Sequence, residues 1–459
     1  MAKKKVKRKR RATKELQGIT AISVCGYKSI AKECTIKIRP LTILAGANSS
    51  GKSSIMQPLL LLKQTLEAPI DPGALRLNGP NVNFSSATEL LSKIKPTQCS
   101  NKFYVKIEKN NISKLTTVFR NKPTKGFNVE KMTYVNSEDV KQNASIWPKM
   151  TYKEILDNSS NMIKGLFKDL SHSIKRDKEI SDKFELTVSL DRCFLGIDLS
   201  SGGKKAFSFG PLISPSQNFK SYIANLIHLP GLRGNPERAY IKTPAIGPAF
   251  PGIFTGYTAG IISHWKESDK KKLTELENAL KTLGLSQRVN VNALDDTTVE
   301  LKVSRIPKGH HRGLSNMVNI ADVGFGVSQT LPVVVALLVA EPGQLVYLEQ
   351  PEIHLHPKAR IKMAEILVDA ANRGVRVVVE THSALLLKSI QTLVAQGKLK
   401  SDKAILHWFN QNKKDGTTEI SSADLDDSGA FGDWPEDFGE VELSIESQYI
   451  EATEKRLLN

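Results

Sequence analysis

Residues 46–53 read GANSSGKS. A glycine at each end of a short polar loop, followed by lysine and serine, lets a backbone wrap closely round phosphate groups and donate its N–H groups to them. Lys52 supplies a point charge for the β- and γ-phosphates of a nucleotide, and the Ser53 hydroxyl is a ligand for Mg²⁺. Nucleotide contacts are therefore expected from Gly46, Asn48, Ser49, Ser50, Gly51, Lys52, Ser53 and Ser54. The flanks agree. LTILA (41–45) is a continuous apolar run of the kind buried on both faces of a sheet, and SSIMQPLLLLKQTL repeats apolar residues at helical spacing. A helix opening there aims its positive N-terminus at the anion.

Three later stretches carry complementary chemistry. QLVYLEQPEIHLHP (344–357) is a buried strand running out into Glu349, placed to hold Mg²⁺ through water. Gln350 follows; its amide can orient a water molecule but cannot deprotonate it. Glu352, two residues on, is either the base or a structural contact of the loop. VRVVVETHS ends a second strand with His382, placed for a γ-phosphate oxygen or the attacking water. DVGFGVSQT (322–330) is a glycine-rich turn entering the apolar helix LPVVVALLVA, whose N-terminus and Ser328 could face a phosphate. His354 and His356 lack a third metal ligand, so HLHP reads more plainly as a loop against a partner protomer. Arg233, Arg238 and Tyr240 in HLPGLRGNPERAY are either phosphate contacts or a surface turn pairing with acids. Tyr27 could stack on adenine or belong to the core. The acids of DLDD (424–427) read as solvated, and no nuclease constellation follows His382.

Taken in chain order, GANSSGKS, DVGFGVSQ, LEQPEIHLHP and ETHS resemble the ABC-type ATPases of the SMC/RecF/OLD superfamily. Within it they are similar to the prokaryotic predicted ATPases whose Walker B reads E-[EQ]-P-E-x-H-L-H-P. The stretch SGAFGDWPEDF (428–438) is similar to the C-terminal extension of one such subgroup. The resemblance covers residues 18–95 and 225–440. It implies an α/β fold: an ABC-type P-loop ATPase head with a mainly parallel sheet, a β lobe and an inserted mixed helical segment. It also implies ATP and Mg²⁺ as cofactors, bound at the interface of a homodimer or higher homo-oligomer. Lys52, Ser53, Glu349 and His382 then act in one protomer, with Gly324, Gly326 and Ser328 facing them from another. Asp322-Val323-Gly324-Phe325-Gly326 departs from the usual signature of a serine before two glycines. Gln350 stands where such ATPases usually carry a catalytic glutamate, so slow turnover is expected. Relatives include ATPase subunits of anti-phage systems such as Septu and PARIS. The resemblance thus implies a cytoplasmic switch subunit with a separate, nuclease-like effector. The competing readings are a repair or recombination ATPase that clamps DNA, and a non-hydrolysing scaffold.

The elements that must position these residues are legible in outline. GITAISVCGYKSI, ECTIKIRPLTILAG, KFYVKIEKN, KFELTVSLDRCFLGIDL, QLVYLE, VRVVVE and KAILHWF read as strands. In SDKKKLTELENALKTLGL, Ser268 is the expected cap, Leu273, Leu276, Leu280 and Leu283 line one face, and Gly284 is the stop. The pattern weakens from about 96 to 225, around a polar, helix-rich stretch at 151–183. The expected organisation is a basic arm (1–17), the first part of the head (18–95), an inserted β lobe and helical segment (96–300), the second part of the head (301–410) and an acidic extension (411–459). The four cysteines form no CxxC pair and read as free thiols. No apolar run approaches the roughly 18 residues a membrane span needs.

The net charge of +18 is uneven. Residues 3–11, KKKVKRKRR, carry eight positive charges in nine residues, whereas residues 401–459 hold 14 acidic and five basic side chains. Such a basic run repels itself and buries nothing, so a disordered arm is expected. Nucleic-acid contact, nuclear import and plain solubility all remain open for it. If Lys3–Arg11 contacts DNA, deleting it should weaken binding and flatten the log–log salt dependence by about 0.9 per lost phosphate contact. Salt titrations of full-length and truncated protein with identical slopes would leave the arm only a solubilising role.

Overall fold

The computed structural model describes residues 18–432 apart from 96–97, 162–163, 166–183, 202–207, 215, 245–246 and 305–316, together with scattered residues of 447–456. The basic arm, the turn KGHHRG (308–313), much of 151–183 and the second half of SGAFGDWPEDF lie outside the described residues.

Six strands form the central sheet, in the spatial order Ile227–Leu229, Leu345–Glu349, Arg376–Glu380, Leu41–Gly46, Ala404–Gln411, Thr418–Asp424. The first five are mutually parallel and the last is antiparallel. The strands Leu345–Glu349, Arg376–Glu380 and Leu41–Gly46 at its centre are short and almost wholly buried, which parallel strands covered on both faces require. Alternation divides their side chains between two cores. Leu41, Ile43, Ala45, Val346, Leu348, Val377 and Val379 face one, with the helices Thr258–Ser268, Lys270–Thr282, Phe325–Val339, Pro357–Asn372 and Ala384–Ala395. Leu44, Leu345, Tyr347, Val378 and Phe409 face the other, beneath the helix Lys52–Leu66. That second core is closed by an antiparallel sheet ordered Cys34–Lys37, Ile19–Cys25, Lys102–Lys109, Ser113–Lys122, Gly126–Asn136, Ala144–Ile146.

Several expectations are refined. The sheet takes Ile227–Leu229 from the segment read as an insertion and Thr418–Asp424 from the acidic extension. The strands Ser113–Lys122 and Gly126–Asn136 occupy a region where the sequence pattern fades. Thr117, a polar residue only 2% exposed, sits in the inward row of the first and blurs its alternation. Asp269, not Ser268, caps Lys270–Thr282, its Oδ1 accepting from the Lys272 N–H at 3.1 Å; Ser268 ends the preceding helix. Leu276 and Leu280 are buried as expected, and Gly284 has φ of 70°. The helix expected to follow the glycine-rich turn already starts at Phe325, so Gly326 and Ser328 lie in its first turn. Tyr27 is fully buried against Phe103 and belongs to the core.

The helix Lys52–Leu66 starts at the phosphate loop, so its placement decides where that loop points. Its far end is fixed by Lys63, a fully buried lysine. The Lys63 ammonium donates to Glu67 at 2.5 Å and to the carbonyls of Ala224 and Phe250, both at 3.0 Å. Burial pushes its pKa down, and the Glu67 carboxylate opposes that shift. Lys63→Met keeps the stem volume but strands Glu67 and two carbonyls. It should cost about 3–5 kcal/mol, the usual penalty for removing one partner of a buried ion pair. Thermal unfolding of the nucleotide-free protein checks this, and an unchanged transition would show that the anchor is dispensable.

Candidate functional site

The phosphate loop is shaped by backbone constraints. Gly46 has φ of 140°, and a Cβ there would lie 2.2 Å from the Phe409 carbonyl oxygen of the neighbouring strand, so only glycine fits. Gly51, at φ 100°, caps the helix, and a Cβ on it would meet Thr418 Oγ1 at 2.2 Å. That Thr418 hydroxyl donates to the Ser50 carbonyl at 2.8 Å, so the acidic extension holds the loop from outside. Asn48 and Ser49 are exposed, Ser49 in the left-handed region at φ 61°, while Ser50 and Ser54 are buried. Lys52 is 4% exposed, and its ammonium donates to the carbonyls of Ala47 (2.6 Å) and Gly46 (3.1 Å). Burial lowers its pKa, and Glu380 opposes the shift.

The three central strands deliver the carboxylates. Register aligns Glu349 with Glu380 and Glu380 with Leu44, so both acids share the face beneath the loop helix. Ser53 meets Glu380 rather than Glu349: its hydroxyl lies 2.9 Å from Oε2 and 3.1 Å from Oε1. The buried Tyr347 hydroxyl donates to Glu380 Oε2 at 2.8 Å. Burial pushes the Glu380 carboxyl above its usual range, with the Tyr347 bond opposing and the nearby Glu349 charge adding to the rise.

Glu349 leans the other way. Its Oε1 is 3.2 Å from His228 Nε2, and its Oε2 accepts from the Gly231 N–H at 3.1 Å. Burial raises its pKa, but His228 and Gly231 more than offset this, leaving it lowered. The His228 ring is stacked on Tyr347 (5.4 Å between centroids), and its Nδ1 is 3.1 Å from the Asn81 amide. Among the described residues the buried Asn81 Nδ2 has no hydrogen-bond partner.

The turn after Glu349 is tight. Gln350 sits at φ 45°, with its N–H donating to the Glu380 carbonyl at 2.7 Å. Arg233 holds the same turn, its Nη2 donating to the carbonyls of Glu349 (2.7 Å) and Gln350 (3.2 Å). Arg233 Nε and Nη1 are buried without a hydrogen-bond partner, and burial pulls its pKa down to about 10 against the pull of Glu352 and Glu349. Arg233 is thus half-buried against this turn, whereas Arg238 pairs with an acid, Asp322, at 2.7 Å. Glu352 is 6% exposed; Thr381 Oγ1 donates to its Oε1 at 2.5 Å, and its Oε2 has no partner. Burial raises the Glu352 carboxyl, with Thr381 opposing. His382 follows Thr381 and lies against the loop: burial first, then Lys52, lowers its pKa, while a hydrogen bond with the Gly46 backbone opposes.

The glycine-rich stretch sits beside HLHP. A Cβ on Gly326 would lie 3.3 Å from the His354 carbonyl oxygen, and the rings of Phe325 and His354 are 5.7 Å apart. Gly324 caps the helix with no side-chain bond to its first N–H groups, and Ser328 Oγ bonds only the Phe325 carbonyl, at 3.3 Å. His356 caps Pro357–Asn372 through Nδ1. Among the described residues no three His, Cys, Asp or Glu side chains gather as a metal cage.

The hydroxyl of Ser53 with the carboxylates of Glu380 and Glu349 makes an all-oxygen donor set. It fits Mg²⁺, which binds through one or two carboxylates and substrate phosphates rather than in an all-protein cage. Glu380 is the residue that motif reading misses. Its signal is an ionisable side chain closing the apolar run Val377–Val379, on the parity that points it toward the loop helix.

Residues 18–387 match the AAA ATPase domain family, AAA_15. No curated protein matches the chain. Among solved structures, an SMC head bound to the C-winged helix domain of ScpA is 12% identical, with 89% of this chain and 98% of that one covered at a TM-score of 0.44. The SMC head domain from Thermotoga maritima is 10% identical, with 89% and 100% covered and a TM-score of 0.39. An SMC head with an extended coiled coil from Pyrococcus furiosus, bound to the C-terminal domain of ScpA, is 12% identical, with 89% and 97% covered and a TM-score of 0.41. Likeness that distant bears on no partner or activity here. The family match spans most of the chain and includes the phosphate loop, the carboxylate strands and His382, and so the protein belongs to the AAA ATPase domain family, with the α/β fold of an ABC-type P-loop ATPase head.

Proposed function

We propose that this ATPase is a slow, nucleotide-driven switch subunit that binds ATP and Mg²⁺ between copies of itself and restrains or releases a separate effector in anti-phage defence. The observation that supports it best is the convergence of Lys52, Ser53, two carboxylates and His382 at one end of the parallel sheet, with an amide, Gln350, next to the metal-facing strand end. In this reading the loop amides and Lys52 bind the phosphates, and Ser53 and Glu349 hold Mg²⁺, whose charge offsets that of the phosphates. His382 contacts the γ-phosphate or the attacking water. Gln350 orients that water, and Glu352 takes its proton. Phosphoryl transfer through a loose transition state depends mostly on such positioning. Gly324, Gly326 and Ser328 serve the ATP of a second copy. The bare N-terminus of the helix Phe325–Val339 suits an anion, and among the described residues no hydrogen bond ties Ser328 to the phosphate loop of its own chain. No helix among the described residues is long and apolar enough to cross a membrane, in keeping with action in the cytoplasm. DNA clamping is the second reading, favoured by the net charge of +18.

Two experiments test this. Lys52→Ala should abolish ATP binding, measured by calorimetry, while circular dichroism stays that of wild type; undiminished affinity would sink the phosphate-loop assignment. Single-turnover hydrolysis separates the roles in EQPE. Glu352→Gln should slow hydrolysis by about 10²–10⁴ at near-constant ATP affinity if Glu352 is the base. Gln350→Glu should speed hydrolysis and shorten the lifetime of the ATP-bound assembly. Equal rates in wild type and both variants would show that neither side chain limits the reaction.

A further inference from the structure

The sequence motif puts the magnesium carboxylate on the strand Leu345–Glu349, yet the hydroxyl that must ligate the metal faces elsewhere. Ser53 lies within hydrogen-bond distance of both oxygens of Glu380 and has no hydrogen bond to Glu349 among the described residues. Glu349 is held by His228 and the Gly231 N–H, and the Tyr347 hydroxyl reaches it as well. Glu380 is 7% exposed and forms no salt bridge among the described residues. Its hydrogen-bond donors are two neutral hydroxyls, Ser53 and Tyr347. The nearest lysine, Lys52, gives its hydrogen bonds to the carbonyls of Gly46 and Ala47. A buried carboxylate without a paired cation is costly and persists where a cation completes it. Here a second carboxylate lies beside it in register, within hydrogen-bond distance of His228, and the loop serine lies in front. Such a pocket has the hard oxygen donors and excess negative charge that Mg²⁺ takes.

We propose that Glu380 is the carboxylate that orients Ser53 on the Mg²⁺ of bound ATP, the part that motif reading assigns to Glu349, and that Glu349, held by His228, forms the second edge of the metal site. This rests on the ATP reading above. In the nucleotide-free chain Ser53 donates to Glu380. With Mg²⁺–ATP bound, the same O–H keeps that bond while an oxygen lone pair turns to the metal, so no proton moves and the serine is already aimed. Tyr347 fixes Glu380 Oε2 from behind and is therefore a positioning residue at one remove.

The test compares ATP affinity in EDTA and in saturating Mg²⁺ for wild type, Glu380→Gln, Glu349→Gln and Tyr347→Phe. Glutamine at 380 can keep its one carbonyl oxygen on Ser53 and Tyr347; it removes the charge and puts an NH2 in place of the second carboxylate oxygen. Glu380→Gln should bind metal-free ATP no more weakly than wild type, since a negative charge beside the phosphates is gone, and lose about 10–100-fold of the tightening that Mg²⁺ brings. Glu349→Gln should lose less of that tightening than Glu380→Gln. Tyr347→Phe should show a smaller loss of the same kind, and it carries the test if Glu380→Gln does not fold. Full Mg²⁺-dependent tightening in Glu380→Gln, or in Tyr347→Phe when it stands alone, overturns the inference. So does a fall in EDTA affinity, which would make Glu380 a structural prop of the loop. Wild-type protein that binds no ATP in either condition overturns the ATP reading and this inference together, whereas intact tightening in Glu380→Gln overturns this inference alone.

Discussion

The register between Leu41–Gly46, Arg376–Glu380 and Leu345–Glu349 is the constraint on which the rest depends. Side chains alternate along a strand, so a slip of one residue would send Glu349 and Glu380 into the helical core and bring valine and leucine beneath the phosphate loop. The apolar rows prevent this: Val377 and Val379 pack in one core and Val378 in the other, leaving no tolerable alternative. The placement of the two carboxylates is in this sense a consequence of hydrophobic patterning. The acids occupy the strand ends, where the sheet stops and the loop helix begins.

From that register the site divides into two carboxylates with different surroundings. Glu380 is buried against hydroxyls and raised in pKa, while Glu349 is lowered by an imidazole and a backbone N–H. The chain Asn81–His228–Glu349 links the end of the strand Leu345–Glu349 to the loop region that follows the Lys52–Leu66 helix. Two neighbouring carboxylates thus differ through their partners and not through their own chemistry.

The turn beyond Glu349 stores strain. A left-handed φ at Gln350 costs about 1–2 kcal/mol for a residue with a Cβ. It is held by its own N–H on Glu380 and by Arg233 on its carbonyl, so the end of Arg376–Glu380 and the loop after Ile227–Leu229 together fix its backbone. Strain kept in place by several partners is common where a side chain must be aimed. Thr381 and Glu352 then tie the turn to the segment carrying His382, making the candidate water-handling groups one connected unit.

The sequence by itself determined the local parts. GANSSGKS after LTILA specified a strand, loop and helix, because the glycines and the apolar run admit little else. LVYLE and VRVVVE specified buried parallel strands, and the spacing of leucines specified the helix Lys270–Thr282. It did not decide which acid meets Ser53, because that depends on the order of strands in the sheet. Arg376–Glu380 lies between the loop strand and Leu345–Glu349, so the intervening strand supplies the nearer carboxylate. Nor did it place Arg233, whose turn looks like surface until the parallel strand Ile227–Leu229 carries it beside Glu349. Thr418, from a segment read as an acidic extension, holds the phosphate loop only because its strand pairs at the sheet edge. Spacing along the chain fixes what each segment becomes, whereas contacts between residues hundreds of positions apart arise only from how the sheet is assembled, and only the tertiary structure decides them.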